Sequence, residues 1–235
     1  MNTFVPSHVR STPGASRRAF TRVELLAASI ALALVGIVTF PSLASTRADS
    51  DRVRCFNNLR QLGLAALKYA DDNDSTFPPR RSPAWPTKLL NYYGTTNILV
   101  CPADGPNPLS FGLTNADAAP RSYIMNGWSD YFASQPGSPP TSPMPISAIT
   151  EPAQTIVFGE KQTESGHFWM DYLAGDDYLE LDQGRHYASR QNHTDGVSNH
   201  AFADGSVRLL KFGEAFSPVI LWFVDPQWRN IGAGQ

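Results

Sequence analysis

Hydrophobic and polar positions divide the chain into three stretches. From Leu25 to Thr46 no residue is charged, a run of 22 positions. As a helix it would cover about 33 Å, enough for a bilayer core of roughly 30 Å. In the next stretch, DRVRCFNNLRQLGLAALKYADD, the apolar positions Val53, Phe56, Leu59, Leu62, Gly63, Ala66, Tyr69 and Ala70 recur at steps of three and four. That spacing predicts an amphipathic helix with one buried stripe, and Cys55 lies one step from it. The Asp/Asn cluster and the prolines of DDNDSTFPP should stop the helix. A helix from Phe20 to Ala70 would be about 77 Å long at ideal rise. Pro41 would remove one of its backbone hydrogen bonds and kink it.

The third stretch reads as an α+β head with a small antiparallel sheet and long loops. PTKLLNYYG predicts a short helix stopped by Gly94. NILVCPAD is an apolar run closed by a turn, RSYIMNGW alternates as a strand does, and a further strand is expected over Thr155–Gly159. SNHAFADGSVRLLKF predicts a hairpin turning at Asp204-Gly205. A two-residue loop there would set Phe202 opposite Val207 and His200 opposite Leu209. His200 would then be a hydrogen-bonded core histidine. Residues 133–147, rich in Pro and Ser, read as an exposed loop.

Composition adds less. The 235 residues fit one or two domains, at 42% hydrophobic and 17% charged. A net charge of −2 gives no reason to expect a nucleic-acid partner. Arg10, Arg17 and Arg18 precede the uncharged run, which places the N-terminus in the cytoplasm and the remainder outside. The competing reading is a secretory signal peptide, cut after Ala44 in SLAS. The two cysteines, Cys55 and Cys101, cannot alone make a zinc site. Both follow the apolar run, in a space that topology makes oxidising, so a disulfide joining the amphipathic helix to the head is expected. Two separate buried thiols are the alternative.

Glu24 stands at the head of the uncharged run. A carboxylate at a membrane edge costs a few kcal/mol unless partnered. The surrounding AFTRVELL resembles the processing site of type IV prepilins and type II secretion pseudopilins. The resemblance implies cleavage by a prepilin peptidase between Ala19 and Phe20, N-methylation of Phe20, and Glu24 as fifth residue of the mature chain. Ala19 stands where the family usually has Gly, Arg22 where an apolar residue is commoner, and Pro41 falls where pilin-type helices often carry Pro. The resemblance further implies that Glu24 pairs with the Phe20 amine of a neighbouring subunit. Without that partner Glu24 would merely snorkel to the interface.

CFNNLRQLGLAALKYADD, LVCPAD, RSYIMNGW and TIVFGE are similar to segments of a large bacterial group of pseudopilin-like proteins, named for a His-x9-Asp-Gly motif. Here Asp204-Gly205 is present, Thr194 holds the position of the His, and His193 lies one residue upstream. The implied organisation is a leader over 1–19, a transmembrane or filament-core helix over 20–46, an amphipathic helix over 47–74 and an extracytoplasmic head over 75–235. The implied function is that of a structural subunit in the bacterial inner membrane, single-pass, assembled with other pseudopilin subunits into a pilus-like or type II secretion-type apparatus. The alternative is a non-polymerising anchored binding protein, with Trp128, Tyr131, Phe132, Trp169 and Tyr172 as a glycan-stacking platform.

For catalysis, His186, His193, His200, Asp195 and Asp204 are the available groups, but no G-x-S-x-G, H-E-x-x-H or P-loop accompanies them. The expectation is no enzyme. For calcium, Asp171, Asp176, Asp177, Glu180 and Asp182 supply hard oxygen ligands without EF-hand spacing. A solvated acidic loop is the competing reading, and no other cofactor is indicated.

Overall fold

The computed structural model describes residues 21–173, 177–186 and 196–230, without the side chains of 34–47. Ala19, Phe20, Asp176, His193 and Asp195 lie outside the described residues. Two compact units result, residues 1–45 and 46–235.

Helix α1 is a single element, Arg22–Asp72, with helical backbone through Pro41. In the first unit its described apolar side chains face outward: Val23, Leu25, Leu26, Ile30 and Leu32 are 60–75% exposed. Among the described residues no helix is long and apolar enough to cross a membrane. The second half of the expected span 20–46, from residue 34 on, falls among the side chains left undescribed.

In the second unit α1 has the expected stripe, rotated slightly. Cys55, Leu59, Leu62, Ala65, Ala66 and Ala70 are buried, while Val53 is 54% exposed. Cys55 therefore belongs to the stripe itself, and Val53, expected within it, points to solvent. The helix ends as its composition requires. Asn73 Nδ2 donates to Tyr69 O at 2.7 Å, and Asp74 and Ser75 both take positive φ. Asn and Asp tolerate that region better than other residues with a Cβ.

A five-stranded sheet packs on this half of α1. Its strands are β2 (Tyr123–Asn126), β4 (Ile156–Glu160), β5 (Trp169–Met170), β6 (Val197–Phe202) and β7 (Val207–Lys211). Their order is β5-β2-β4-β6-β7, antiparallel except that β5 pairs parallel with β2. The fold is thus α+β. A two-stranded ribbon joins β1 (Thr76–Phe77) to β3 (Met144–Pro145). It fastens the end of the Pro/Ser-rich loop, whose Met144 is buried. Helix α2 (Trp85–Tyr93) stops at Gly94 as expected, and NILV is mostly a 3-10 turn, Thr96–Leu99.

The hairpin register differs from the expectation by one residue. His200 pairs with Arg208 and Asn199 with Leu209. Phe202 N–H donates to Ser206 O at 2.9 Å and Gly205 N–H to Phe202 O at 3.0 Å. The loop is therefore three residues long, Ala203-Asp204-Gly205. Gly205 has φ +82, the left-handed residue that closes a type I turn with a bulge.

The two faces of the sheet have different covers. Tyr123, Met125, Phe158 and Ala201 meet α1 and α2, with Leu59, Leu62, Trp85 and Leu89 in one core. Ala201 Cβ lies where a Cβ on Gly63 would stand 3.4 Å away, so the helix crosses the sheet closely at this point. On the other face Ile124, Ile156, Phe202 and Leu210 are covered by Ala215 and Ile220–Phe223 from the C-terminal segment. Asn126 Nδ2 ties that segment down through Trp222 O at 2.7 Å.

Candidate functional site

At the start of α1, Thr21 and Glu24 close a capping box. Thr21 N–H donates to Glu24 Oε2 at 2.8 Å, and Glu24 N–H donates to Thr21 Oγ1 at 3.3 Å. Each residue satisfies a backbone donor that the first helical turn leaves free. The carboxylate is thereby held at the positive end of the helix dipole. Reading the family spacing passed over this T-x-x-E signature, which is legible in the sequence.

A second concentration of chemistry lies buried in the head. The disulfide Cys55–Cys101 joins α1 to the turn after Thr96–Leu99, with Cα atoms 5.0 Å apart. Beside it His186 Nε2 approaches Cys101 Sγ at 3.9 Å and Glu160 Oε1 at 2.9 Å. Glu160 closes β4, and its other oxygen accepts the Asn199 N–H of β6 at 3.0 Å. Burial alone would raise the Glu160 pKa. The hydrogen bond and charge of His186, and then the charge of Arg185, hold it below the usual carboxylate range.

Next to this pair sits a buried ion cluster. Arg185 Nη1 meets Asp104 Oδ2 at 2.5 Å, Arg185 Nη2 meets Asp182 Oδ2 at 3.4 Å, and Arg185 also donates to Lys161 O. For Asp104 burial is the largest influence and would raise the pKa; Arg185, followed by hydroxyl donors, brings it down. Asp182 goes the other way, because burial outweighs Arg185 there. Lys161 is buried, and burial, reinforced by the Arg121 charge, lowers its pKa to about 7. Its Nζ donates to the carbonyls of Leu109 and Gln162 at 3.0 and 3.3 Å and to that of Ser165.

Among the described residues, Cys55, Cys101, Glu160 and His186 form the one group of three or more potential metal ligands, with ligand atoms all within 4.8 Å of one another. While the sulfurs are joined, the group offers an incoming cation only a His and a Glu. Comparison with protein-family models, with curated proteins and with solved structures finds no match.

The other candidates disperse. His200 lies on the opposite face of the sheet, its ring edge-on to Trp222. It is buried as expected, and burial lowers its pKa to about 4. Asp204 is exposed in the hairpin loop, its carboxylate accepting Ser206 N–H at 2.9 Å. The acidic residues have separate partners: Arg80 holds Asp171 at 2.5 Å, His167 meets Asp177 at 3.4 Å, and Asp182 faces Arg185. Of the five aromatics, Trp128 and Phe132 are buried in the core and Tyr131, Trp169 and Tyr172 are half-buried. They pack against neighbours instead of forming one open platform.

Residue types alone did not point to the Glu160–His186 pair or to Arg185 with Asp104. Glu160 ends the apolar strand IVFGE, a place where a charge needs a buried partner, and that is the one local signal.

Proposed function

We propose that this protein is a pseudopilin-like structural subunit, cut between Ala19 and Phe20 by a prepilin peptidase and held in the bacterial inner membrane by the first half of α1. It assembles with other such subunits into a pilus-like or type II secretion-type apparatus. The observation that carries this reading is the row Val23, Leu25, Leu26, Ile30 and Leu32 on the helix leading into the head, each at least 60% exposed. Large apolar side chains so exposed on a helix require lipid or other helices around them. The capping box leaves one Glu24 oxygen, Oε1, free of the hydrogen bonds to Thr21, and that oxygen can accept from the Phe20 amine of a neighbour. The disulfide fastens the head to the helix at the junction that any load along a filament must cross. In this role the chain carries no reaction of its own.

The test is intact mass and N-terminal sequence of protein recovered from membranes. The expected product begins at N-methyl-Phe20 and keeps its helix. A soluble product beginning at Ser45 would show cleavage by an ordinary signal peptidase and overturn the reading.

A further inference from the structure

We infer that the reduced chain holds one Zn²⁺ between Cys55, Cys101, His186 and Glu160, so that a metal site and a disulfide alternate at the junction of α1 with the head. The inference does not depend on the pilin-like reading. It rests on four ligand atoms from four separate parts of the chain: α1, the turn at Cys101, the end of β4, and the segment bridged to β6 at His186.

The distances fit. With Zn–S near 2.3 Å and Zn–N or Zn–O near 2.0–2.2 Å, a tetrahedron has S···S, S···N and N···O edges of about 3.8, 3.6 and 3.4 Å. The Cys101 Sγ···His186 Nε2 distance is already 3.9 Å and the His186 Nε2···Glu160 Oε1 distance 2.9 Å. Once the S–S bond is broken, the sulfurs part from a bonded separation of about 2.0 Å to about 3.8 Å and the His–Glu contact opens by about half an ångström, which together admit the ion. Both cysteines and Glu160 are fully or almost fully buried, so protein surrounds the ion.

The surroundings suit a metal as well. Asn199 N–H steadies the second oxygen of Glu160, an outer contact of the kind that orients a ligating carboxylate. Two thiolates and one carboxylate against Zn²⁺ leave one negative charge, and Arg185 acts on the same carboxylate. Asn199 is wholly buried, and its side-chain Oδ1 and Nδ2 have no partner among the described residues. By strand alternation it shares the helix-facing side of β6 with Ala201. An unsatisfied amide on that side marks a place short of a polar occupant.

The exchange balances as follows. A dithiol reductant supplies two electrons and two protons, the S–S bond breaks, and the reductant leaves as its own disulfide. Zn²⁺ then displaces the two thiol protons to solvent, the proton between His186 Nε2 and Glu160 Oε1 leaves for Nδ1 or solvent, and their hydrogen bond gives way to two bonds to the metal. In the reverse direction a disulfide oxidant takes up the two electrons and leaves as its dithiol, the S–S bond re-forms and Zn²⁺ returns to solvent.

For the test, the full chain is unfolded, reduced with a phosphine, refolded without oxygen in Zn²⁺ or Co²⁺, and desalted. Wild type should retain one metal per chain. Its Co²⁺ form should show thiolate charge-transfer and tetrahedral ligand-field bands, and Zn²⁺ should raise the melting temperature of the reduced protein. His186→Gln and Glu160→Gln should each weaken the metal by at least about tenfold. Folding of both variants is verified first in the oxidised state, where the disulfide needs no metal. Oxidised wild type should retain none. A reduced wild type that binds no metal, or that fails to refold with zinc present, overturns the inference. So does a His186→Gln variant that binds as tightly as wild type, since the thiols alone would then account for binding.

Discussion

The two described halves of α1 are made from the same class of residue and end in opposite situations. Near its start, Val23, Leu25, Leu26, Ile30 and Leu32 are large, exposed and gathered on one half of the helix, across from Glu24, Ala27, Ala28 and Ala31. Between Cys55 and Ala70 the covered stripe is mostly small: one Cys, two Leu, one Gly and three Ala. Small residues let a sheet approach the helix backbone, as Ala201 does at Gly63. Large apolar residues left so exposed suit an apolar environment that the chain itself does not supply. What distinguishes the halves is therefore side-chain size more than hydrophobicity. The head half supplies its own cover, and the first half needs one from elsewhere.

The disulfide is the strongest single fastening of the head half. Cys55→Ala combined with Cys101→Ala should lower unfolding stability by about 4 kcal/mol, from the closure of a loop with sequence separation 46. Denaturant titration of wild type against the variant measures this, and a loss near zero would mean that the helix is held by packing alone.

Leu59 and Leu26 sharpen the contrast directly. Leu59→Ala removes a fully buried side chain and should cost about 3 kcal/mol. Leu26→Ala, 62% exposed, should leave head unfolding unchanged and instead weaken retention in membranes. Equal effects on head unfolding would erase the distinction between the halves.

Acid should attack the head in a definite window. His200 titrates at about 4 when folded, against an ordinary value of 6.5. Below pH 6.5 the unfolded chain takes up a proton that the folded chain refuses. The share of stability that depends on His200 is therefore complete only above 6.5 and falls by about 3 kcal/mol as pH drops to 4. Glu160 and Asp104, whose pKa values are lowered in the fold, add to the loss at still lower pH. His200→Gln should flatten the slope between pH 6.5 and 4; an unaltered slope would assign it to other groups.

The smallest effect on head stability belongs to Glu24. Thr21→Ala removes the hydroxyl half of the capping box, Glu24→Gln keeps its reach to the Thr21 N–H but loses the charge, and neither should move head unfolding. If Glu24 also meets the Phe20 amine of a neighbour, cross-linked oligomers in membranes should be lost for Glu24→Gln and kept for Thr21→Ala. Oligomers kept in Glu24→Gln as well would reduce Glu24 to a local cap.

The pattern of the sequence was enough for α1, for its end at Asp72, for α2 and for the two central strands, because helical steps and alternation are local signals. The pairing of Cys55 with Cys101 was legible for a similar reason, since both flank stretches that had to be buried. The hairpin slipped by one residue because Asp-Gly serves a two-residue turn and a three-residue bulged turn alike, and only the position of the bulge separates them. The cover over the back of the sheet was not legible. AFSPVILWFV has no helical or strand periodicity, and its burial depends on strands that precede it by tens of residues. The ion cluster was hidden for a deeper reason: Asp104, Glu160, Lys161 and Arg185 are ordinary surface residue types, and nothing local says that a fold will bury them together.

The C-terminal cover also has a consequence for how the head can be made. Residues 215–224 follow every strand of the sheet in chain order, yet Trp222 closes on Asn126, 96 positions earlier. A chain emerging N-terminus first, from a ribosome or across a membrane, presents helix and strands well before that cover arrives. During the interval Ile124, Ile156 and Phe202 form a bare apolar face, and contacts of such sequence separation form slowly. The head is therefore open to self-association until nearly all of it has emerged, and a holding chaperone would act in that interval.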